Sequence, residues 1–501
     1  MTMPAKAVMI QGTSSDVGKS MLATALCRHF SNAGYRVAPF KSQNMALNSY
    51  VTVSGGEIGR AQGVQAEAAR VEATTDMNPI LLKPKQDMMS EIIVHGKHHL
   101  NMTAKSYRND FVDEALPIAV EAVQRLKESY DVIVLEGAGS PAEINLKARD
   151  IANMKMAHAA DAAVILVADI DRGGVFASIV GTLALLDEDE RARVKGIIIN
   201  KFRGMKELLD DGLEWLENYT GIPVLGVVPY MDVQIEAEDS LALSALRLKR
   251  PKDNEFDLDV VVIQLPRISN FTDIDPLMDE PGVGVRFVKT VAELKNPDVI
   301  IIPGTKNTID DLAWLRAQGF EEELTTRDVA IVGICGGYQM LGQSLYDPDF
   351  VEGNVDYTEG LRLLPIETTF VGEKKTVQNS GIRFGTNERL TGYEIHLGRT
   401  KHTHLCEPFL LLDDGRTDGA VVGRILGTYF HGIFHNRTFT RQMVNEWRIY
   451  KGLAPLDAAV KSEKELREHA YNVAAEQFEQ AVDLEKLYEI MGLERVATIS
   501  E

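Results

Sequence analysis

The chain is poor in cysteine: among 501 residues it has three, Cys27, Cys335 and Cys406, which lie far apart. Thiols that are so few and so widely spaced cannot form a disulfide framework, and they are typical of the reducing cytosol. We therefore predict a cytoplasmic protein. A signal peptide is not expected, because no basic segment followed by an apolar one precedes the first strand-like run.

Basic charge and long apolar runs are also scarce. Lys and Arg number 53 against 73 Asp and Glu, a formal net charge of −20. A nucleic-acid partner needs a basic surface, so none is expected, although a local basic pocket for a small anion remains compatible with this charge. No apolar run approaches the roughly 20 residues that span a bilayer, so membrane insertion is not expected. Repeats and low-complexity tracts are lacking.

The first half alternates short apolar runs with longer helical stretches. Most runs are continuous rather than alternating, which predicts strands that are covered on both faces. This rhythm predicts βαβ units in a doubly wound, mostly parallel α/β sheet. The predicted strands are 7–10, 37–40, 92–94, 132–135, 163–167, 196–199 and 224–228.

A loop rich in glycine and serine follows the first predicted strand, and a helix at 20–30 is predicted after it. Backbone N–H groups of such a loop cradle the phosphates of ATP, its lysine reaches the outer phosphates, and its last serine can bind Mg²⁺. The spacing is one residue longer than the standard phosphate-loop pattern, so a simple turn with a surface lysine is the alternative. The loop residues are Gly12, Thr13, Ser14, Ser15, Asp16, Val17, Gly18, Lys19 and Ser20.

Polar residues follow several other predicted strands and should share one edge of the sheet, where ligands of α/β folds bind. Glu136 ends a buried run and is predicted to hold Mg²⁺ together with Ser20. Asn200 follows a later strand and is predicted to contact the nucleotide base. Lys41, Gln43 and Asn44, and more loosely Lys83, Lys85 and Gln86, are candidates for contacts with an anionic substrate; a solvated loop is the alternative.

The second half begins a new α/β series after a charged, polar stretch. Its predicted strands are 258–263, 283–288, 299–302 and 330–334. We predict an ATP-dependent domain at 1–235, a linker at 236–256, a second doubly wound domain at 257–440 and a helical extension at 441–501. Helices are predicted at 439–450, 464–470 and 473–491, and they are compatible with a cap or a homo-oligomeric interface.

Cys335 lies between an apolar run and a helix-like run at 338–345, in the sequence Gly-Ile-Cys-Gly-Gly. This pattern predicts a nucleophile elbow, a sharp strand-to-helix turn that exposes one reactive side chain. An inert buried thiol is the alternative. The predicted base is His431, with His396 as a rival. Gly304 and Gly336 are predicted to supply N–H groups to an oxyanion hole.

These motifs resemble a known fusion. The second half resembles class I glutamine amidotransferases, in a flavodoxin-like fold, through 303–305, 333–339 and His431. The first half resembles dethiobiotin synthetase-type ATPases, and the fusion in this order resembles the cobyric and cobyrinic acid amide synthases. Segments 11–15, 41–45 with Asn48, 169–176 and 200–204 are similar to the cobyric acid synthase branch. Class I domains typically have Glu two residues after the base, where this chain has Ile433, so a Cys–His dyad is one interpretation.

The resemblance implies amidation of the b, d, e and g carboxylates of adenosylcobyrinic acid a,c-diamide, a corrinoid, with ATP, Mg²⁺ and L-glutamine. An acyl phosphate would accept ammonia that Cys335 releases from glutamine. Cobyrinic acid a,c-diamide synthase is the rival enzyme. A nucleotide-switched partner protein like ParA or MinD is the rival of another class, and it would not use an elbow cysteine.

Overall fold

The computed structural model describes residues 5–86, 89–233, 235 and 256–494. The chain divides into two compact units, which are described separately below. The first consists of Met1–Ala46, Gly56–Glu236 and Leu466–Glu501, and the second of Leu47–Gly55 and Ala237–Glu465. Each unit contains a six-stranded, mostly parallel sheet, so the predicted α/β fold class is confirmed.

The twelve strands that the structure describes before the predicted linker include a parallel set and several shorter strands. In chain order they are β1 (Lys6–Gly12), β2 (Val37–Phe40), β3 (Gln43–Met45), β4 (Ser49–Val51), β5 (Glu57–Gly59), β6 (Ile80–Gln86), β7 (Met89–Val94), β8 (Lys97–Thr103), β9 (Val132–Glu136), β10 (Ala163–Asp169), β11 (Val194–Phe202) and β12 (Val224–Pro229).

The strands described after it are β13 (Leu258–Ile263), β14 (Val283–Val288), β15 (Val299–Ile302), β16 (Ala330–Ile334), β17 (Ser344–Tyr346), β18 (Tyr357–Glu359), β19 (Ile366–Arg383), β20 (Arg389–His402), β21 (Leu410–Leu412), β22 (Thr417–Asp418), β23 (Ala420–Val422) and β24 (Ile425–Thr428).

The α-helices alternate with these strands, as the sequence rhythm predicts. They are α1 (Lys19–Asn32), α2 (Arg60–Ala68), α3 (Ala104–Ser106), α4 (Val112–Ser129), α5 (Met154–Ala160), α6 (Val175–Ala184), α7 (Glu188–Arg193), α8 (Asp210–Thr220), α9 (Asp275–Met278), α10 (Val291–Leu294), α11 (Thr308–Ala317), α12 (Phe320–Thr326), α13 (Gly336–Met340), α14 (Arg437–Tyr450), α15 (Glu463–Ala481) and α16 (Leu484–Met491). Among the described residues, none of these helices has the length and apolar character that a bilayer crossing requires.

The parallel sheet of the first unit has the order β12-β11-β10-β1-β9-β2. Its central strands are almost fully buried, as their continuous apolar sequences require. In the register of the sheet, Ile10 lies opposite Glu136 and Gly12 opposite Val167. The phosphate-binding loop and Glu136 therefore leave the sheet at the same edge.

The predicted strand at 92–94 does not belong to this parallel sheet. It forms the end of β7, in a separate sheet of order β3-β6-β7-β8, where β7 pairs antiparallel with both neighbours. His95 and Gly96, with φ of 44° and 76°, form a two-residue turn between β7 and β8. Such a turn joins antiparallel strands directly, whereas a parallel pair needs a longer crossover.

The C-terminal helices cap the edge strand of the first unit. The predicted break between the last two helices, at 471–472, is wrong: α15 continues to Ala481 and the chain turns at Val482. Val482 forms a bridge with Gly226 of β12, and Asp483 N donates to Leu225 O at 2.7 Å. This pairing satisfies backbone groups that an edge strand would otherwise expose.

The segment predicted as a single extension at 441–501 is divided between the two units. Helix α14 belongs to the second unit, whereas the chain from Leu466 onwards belongs to the first. There Glu468 makes a two-pronged ion pair with Arg28 of α1, at 2.9 and 3.0 Å. The predicted linker at 236–256 lies, apart from Phe256, outside the described residues.

The second unit has a parallel sheet of order β14-β13-β15-β16-β24-β23, with β23 antiparallel at the edge. Ile302 lies opposite Gly333, and Ile334 opposite Thr428. The loops that carry Gly304, Cys335 and His431 therefore leave neighbouring strands at the same edge. A second sheet, built on the long hairpin of β19 and β20, completes the unit.

Candidate active sites

The phosphate-binding loop of the first unit joins β1 to α1 and folds tightly over itself. Gly18 has φ 97°, in the left-handed region that favours glycine. A Cβ atom added at Gly12 would lie 2.6 Å from Val17 Cγ2 and 2.8 Å from the backbone oxygen of Ser14, so glycine is needed there too. Lys19 Nζ donates to Ser14 O at 3.0 Å and to Gly139 O at 3.1 Å. The lysine is thus fixed beside the backbone of the loop.

Glu136 is the centre of a buried polar cluster at this edge. Its Oε1 accepts from Ser20 Oγ at 2.8 Å and from Lys41 Nζ at 3.0 Å, and its Oε2 accepts from Gln65 Nε2 at 2.6 Å. Burial alone would raise the pKa of Glu136, but the charge of Lys41 and these hydrogen bonds lower it below its ordinary value. The carboxylate therefore remains ionised inside the protein.

The structure brings together the two residues predicted to bind Mg²⁺. Ser20 and Glu136 present adjacent oxygen atoms, which are the ligands Mg²⁺ prefers, and this ion often takes only one or two protein ligands beside phosphates and water. The pair therefore fits the ion. Lys41, which is predicted to contact the substrate, donates a hydrogen bond to the carboxylate of Glu136.

The other predicted residues of this edge have different surroundings. Asn200 Nδ2 donates to Val17 O at 2.8 Å and so supports the phosphate loop; its contact with a base stays a prediction. Asn44 donates to Gln62 at 3.0 Å, and Gln43 accepts from the Tyr107 hydroxyl. Lys83 on β6 pairs with buried Glu57 of β5 at 2.5 Å, and Lys85 and Gln86 follow Lys83 on β6.

Cys335 occupies a strained turn in the second unit. It lies between β16 and α13 with φ 51° and ψ −106°, a combination that is unfavourable for a residue with a side chain. A Cβ atom at Gly337 would lie 1.9 Å from Ile302 O, so the turn requires glycine. The geometry is that of the predicted elbow. The helix is Gly336–Met340 rather than the predicted 338–345, because β17 begins at Ser344.

His431 and Gly304 lie beside this elbow. A Cβ atom at Gly304 would lie 2.9 Å from His431 Cε1 and 3.7 Å from Cys335 Cβ, so the three residues share one small volume. The His431 ring also stacks on Tyr393, with centroids 5.1 Å apart. Gly336 is the other residue predicted to supply an N–H group to the oxyanion hole. It lies against the loop that carries Gly304, since a Cβ atom at Gly336 would lie 3.2 Å from Thr305 N.

Asp273 contacts His431, and no motif in the sequence predicts this pair. Its Oδ2 lies 2.6 Å from His431 Nδ1, and its Oδ1 accepts from Gly432 N at 2.8 Å. Both side chains are almost completely buried. A carboxylate on Nδ1 fixes the ring so that Nε2 is left for the nucleophile. The structure therefore brings Cys335, His431 and Asp273 together in the arrangement of a triad, whereas the sequence left the partner of His431 open and a dyad as one interpretation.

The rival histidine has other partners. The two ring nitrogens of His396 face Gly398 O at 2.7 Å and Glu394 Oε2 at 3.3 Å. Its ring stacks on Tyr429, with centroids 3.7 Å apart. Burial lowers the pKa of His396 despite the nearby carboxylate of Glu394.

The segment that carries Asp273 is held by residues from the first half of the sequence. Asp273 lies in a 3₁₀-helix, Phe271–Ile274, which follows Asn270 in the left-handed region at φ 51°. Asn48 Oδ1 accepts from Phe271 N at 3.2 Å, and Ser49 N donates to Asn270 Oδ1 at 2.8 Å. Asn48 and Ser49 thereby restrict the position of the 3₁₀-helix from which Asp273 reaches His431.

The protonation of His431 gives a prediction. Burial would lower its pKa, but the charges of Asp273 and Cys335 outweigh this effect and raise the pKa from its ordinary 6.5 to about 10. A raised pKa stabilises the folded state fully below pH 6.5, and this contribution is lost as pH rises through about 10. This can be measured by NMR titration of protein labelled with ¹⁵N-histidine. The signal of His431 is the one that is absent from the His431→Gln variant, and we expect its midpoint near pH 10. A midpoint near 6.5 would contradict the charged environment described here.

Comparisons with known proteins agree with this architecture. Residues 8–242 match the CobQ/CobB/MinD/ParA nucleotide binding domain, and residues 259–439 match the CobB/CobQ-like glutamine amidotransferase domain. The chain is 51% identical to cobyric acid synthase of Geobacillus sp. (strain WCH70) over 493 residues, 97% of each protein. It is 52% identical to cobyric acid synthase of Anoxybacillus flavithermus over 488 residues, 96% of each.

A relative from another organism extends the similarity. The probable cobyric acid synthase of Methanothermobacter thermautotrophicus is 49% identical over 507 residues, 98% of this chain and 100% of that protein. About half of the residues are identical over nearly the whole length of each relative, so the similarity includes both units of this chain. The protein is therefore an amidoligase-type enzyme, and the chain belongs to the cobyric acid synthase family.

Proposed function

We propose that the protein uses ATP and L-glutamine to amidate the b, d, e and g carboxylates of adenosylcobyrinic acid a,c-diamide in cobalamin biosynthesis. The observation that carries this proposal is the triad of Cys335, His431 and Asp273 on the chain that also has the Lys19 phosphate loop. The family relationship supports the corrinoid substrate. The rival of another class, a nucleotide-switched partner protein, would have no use for such a triad.

The first unit would activate the carboxylate. A carboxylate is a poor electrophile, so phosphoryl transfer from ATP would convert it to an acyl phosphate. Lys19 and the backbone N–H groups of residues 12–20 would hold the phosphates, and Ser20 and Glu136 would hold Mg²⁺, which would neutralise charge on the transferred group. Because Lys41 keeps Glu136 ionised, this carboxylate would remain ready for the metal at neutral pH.

The second unit would supply ammonia. The Cys335 thiolate would attack the side-chain amide of glutamine, and His431 would protonate the departing ammonia. The backbone N–H groups of Gly304 and Gly336 would bind the oxyanion, and Asp273 would stabilise the imidazolium. Water would then release glutamate from the thioester. The ammonia would have to remain unprotonated in order to attack the acyl phosphate.

Mass spectrometry of the corrinoid tests the proposal. Adenosylcobyrinic acid a,c-diamide would be incubated with the protein, Mg²⁺, ATP and amide-¹⁵N glutamine. We expect stepwise incorporation of ¹⁵N, up to four labelled amides per corrinoid, and none when ATP is omitted. Hydrolysis of glutamine with an unlabelled corrinoid would contradict the acceptor, and labelling of cobyrinic acid would then favour the rival a,c-diamide synthase.

The protein is expected to work in the cytoplasm, and its oligomeric state is open to measurement. Small-molecule substrates, a corrinoid and glutamine, are the partners that this function requires. A homo-oligomer remains compatible with the sequence, and sedimentation of the purified protein would measure it.

A further inference from the structure

A short segment from the first half of the sequence is part of the surroundings of the triad. Residues 47–55, called the arm below, belong to the second unit, whereas the residues on either side of them in the chain belong to the first. Within the arm, Asn48, Ser49, Val51 and Thr52 are at most 2% exposed. Ordering such a segment costs conformational entropy, so its burial indicates contacts that offset this cost.

One set of contacts joins the arm to the segment that carries Asp273. Asn48 Oδ1 accepts from Phe271 N at 3.2 Å, and Ser49 N donates to Asn270 Oδ1 at 2.8 Å. These bonds hold two consecutive residues, and Asp273 follows them in the same short 3₁₀-helix. A 3₁₀-helix has poor internal hydrogen-bond geometry, so its position depends strongly on such outside contacts.

A second set of contacts joins the arm to the hairpin of β19 and β20. Gln378 Nε2, on β19, donates to Val51 O at 2.6 Å. A Cβ atom at Gly55 would lie 3.0 Å from Thr376 O of the same strand. In the register of the hairpin, Gln378 lies opposite Tyr393. The arm therefore contacts the strand that pairs with Tyr393.

Asp273 and Tyr393 are both neighbours of the His431 ring. Asp273 Oδ2 lies 2.6 Å from Nδ1, and the Tyr393 ring stacks on the imidazole with centroids 5.1 Å apart. The backbones of Tyr393 and His431 also exchange two hydrogen bonds, at 2.9 and 3.2 Å. The arm thus contacts both of the elements that fix this imidazole.

We propose that the arm is a positioning element of the glutaminase. Asn48 and Ser49 hold the 3₁₀-helix of Asp273, and the rest of the arm holds the hairpin of Tyr393. Through these two elements the arm keeps Nε2 of His431 directed at the nucleophile. This inference rests on the proposed function, in which the imidazole transfers the proton during glutamine hydrolysis.

The arm also connects the two halves of the reaction along the chain. Lys41, which precedes the arm, donates to Glu136 at 3.0 Å, and Asn48 contacts the segment of Asp273. One short stretch of chain thus reaches a residue of each reactive site. Glutamine hydrolysis therefore depends on chain from the half that consumes the ammonia.

Replacing Asn48 by alanine in the full-length protein tests the proposal. The change removes the acceptor of Phe271 N. A misplacement of about 1 Å in a catalytic group costs about 10²-fold in rate, so we expect kcat for glutamate release to fall about 10- to 100-fold. KM for glutamine and the rate of amidation with ammonium chloride should stay within about twofold, because Asn48 acts on His431 and not on the substrates.

The NMR titration of His431 adds a measurement that a merely structural role would not change. The charges of Asp273 and Cys335 raise the pKa of His431 against the effect of burial. When Asn48→Ala lets Asp273 move away, the midpoint of His431 should fall towards its ordinary 6.5.

Asn445→Ala is the matched control. Asn445 Oδ1 also accepts from a backbone N–H in the second unit, that of Leu456 at 2.7 Å, and it joins α14 to the chain that follows this helix. Its replacement should leave both kcat for glutamine hydrolysis and the midpoint of His431 unchanged. A fall in kcat as large as that of Asn48→Ala would overturn the proposal in favour of general destabilisation.

Gln378→Leu approaches the arm from the hairpin, at an exposed position where the fold tolerates a change. It should lower kcat for glutamine hydrolysis by about 2- to 5-fold, as for the loss of one hydrogen bond. Normal hydrolysis in both variants, with the midpoint of His431 unchanged, would overturn the positioning role. A parallel fall in ammonia-dependent amidation would overturn it in favour of a contact between the arm and the corrinoid.

Failure of the proposed function would be distinguishable from failure of this inference. It would show as no amide formed by the unsubstituted protein with either nitrogen source. Glutamate release and the midpoint of His431 need no corrinoid, so they test the arm in either case.

Discussion

Replacing Cys335 by serine should abolish the use of glutamine and leave amidation with free ammonia intact. The thiolate is the only atom in the proposed scheme that bonds to glutamine, and a serine hydroxyl in its place is a much weaker nucleophile at neutral pH. Loss of a nucleophile lowers turnover by several orders of magnitude, so we expect a fall of at least about 10³-fold in glutamine hydrolysis. The rate with ammonium chloride should remain within about twofold.

Two measurements on the same protein preparations check this result. Glutamate release reports the glutaminase, and mass spectrometry of the corrinoid reports amide formation with each nitrogen source. Cys406→Ser is the matched control, because this partly exposed thiol lies outside the elbow and its replacement should change neither rate. If Cys335→Ser also removed the ammonia-dependent reaction, the two activities would not be separable as proposed, and Cys335 would have a role in the amidation step.

Replacing Asp273 by asparagine should have an effect nearly as large. The substitution preserves shape but removes the charge that lies 2.6 Å from His431 Nδ1. Without this carboxylate the imidazole can adopt the wrong tautomer, and the imidazolium loses its stabilisation. The same change in a serine protease triad lowers kcat by about 10⁴-fold. We expect glutamine hydrolysis to fall by about 10²- to 10⁴-fold and ammonia-dependent amidation to persist.

The titration of His431 separates a catalytic effect from unfolding. The charge of Asp273 contributes most to raising the pKa of His431 to about 10, so its neutralisation should move the NMR midpoint of His431 downwards. Asp279→Asn is the control: it removes an ion pair with Arg437 in the same unit, 2.8 Å long, and should leave both the midpoint and the glutaminase unchanged. An Asp273→Asn protein with normal glutaminase would restore the Cys–His dyad as the better description.

Much of both sites follows from short stretches of sequence. The phosphate loop and the nucleophile elbow are short strand-to-helix turns. Glycine is required at 12 and 18 by contacts and a dihedral angle within the phosphate loop, and at 337 by the close approach of Ile302 O from the neighbouring strand. The parallel strands could be predicted because burial on both faces requires continuous apolar runs. The strand at 92–94 lies in a different sheet from the one predicted, because periodicity indicates a strand but not the strands it pairs with.

Asp273 is a site residue that short sequence patterns do not identify. It is 158 residues from His431, on a short 3₁₀-helix without a motif of its own, and the place where class I domains typically have a glutamate holds Ile433. Its position at the carboxyl edge of the second sheet, after the loop that follows β13, was a usable signal. Many polar residues follow strands at this edge, and only the assembled sheet places Asp273 beside Nδ1 of His431.

By itself the sequence determined the α/β class, the two reactive loops and the choice of ATP and glutamine chemistry, because each depends on a few adjacent residues whose steric needs are specific. The tertiary structure decided the partners of those loops: Lys41 and Gln65 on Glu136, Asp273 on His431, and the C-terminal segment on β12. These pairs form between distant segments, and their geometry is fixed by strand order and register, which local periodicity does not encode.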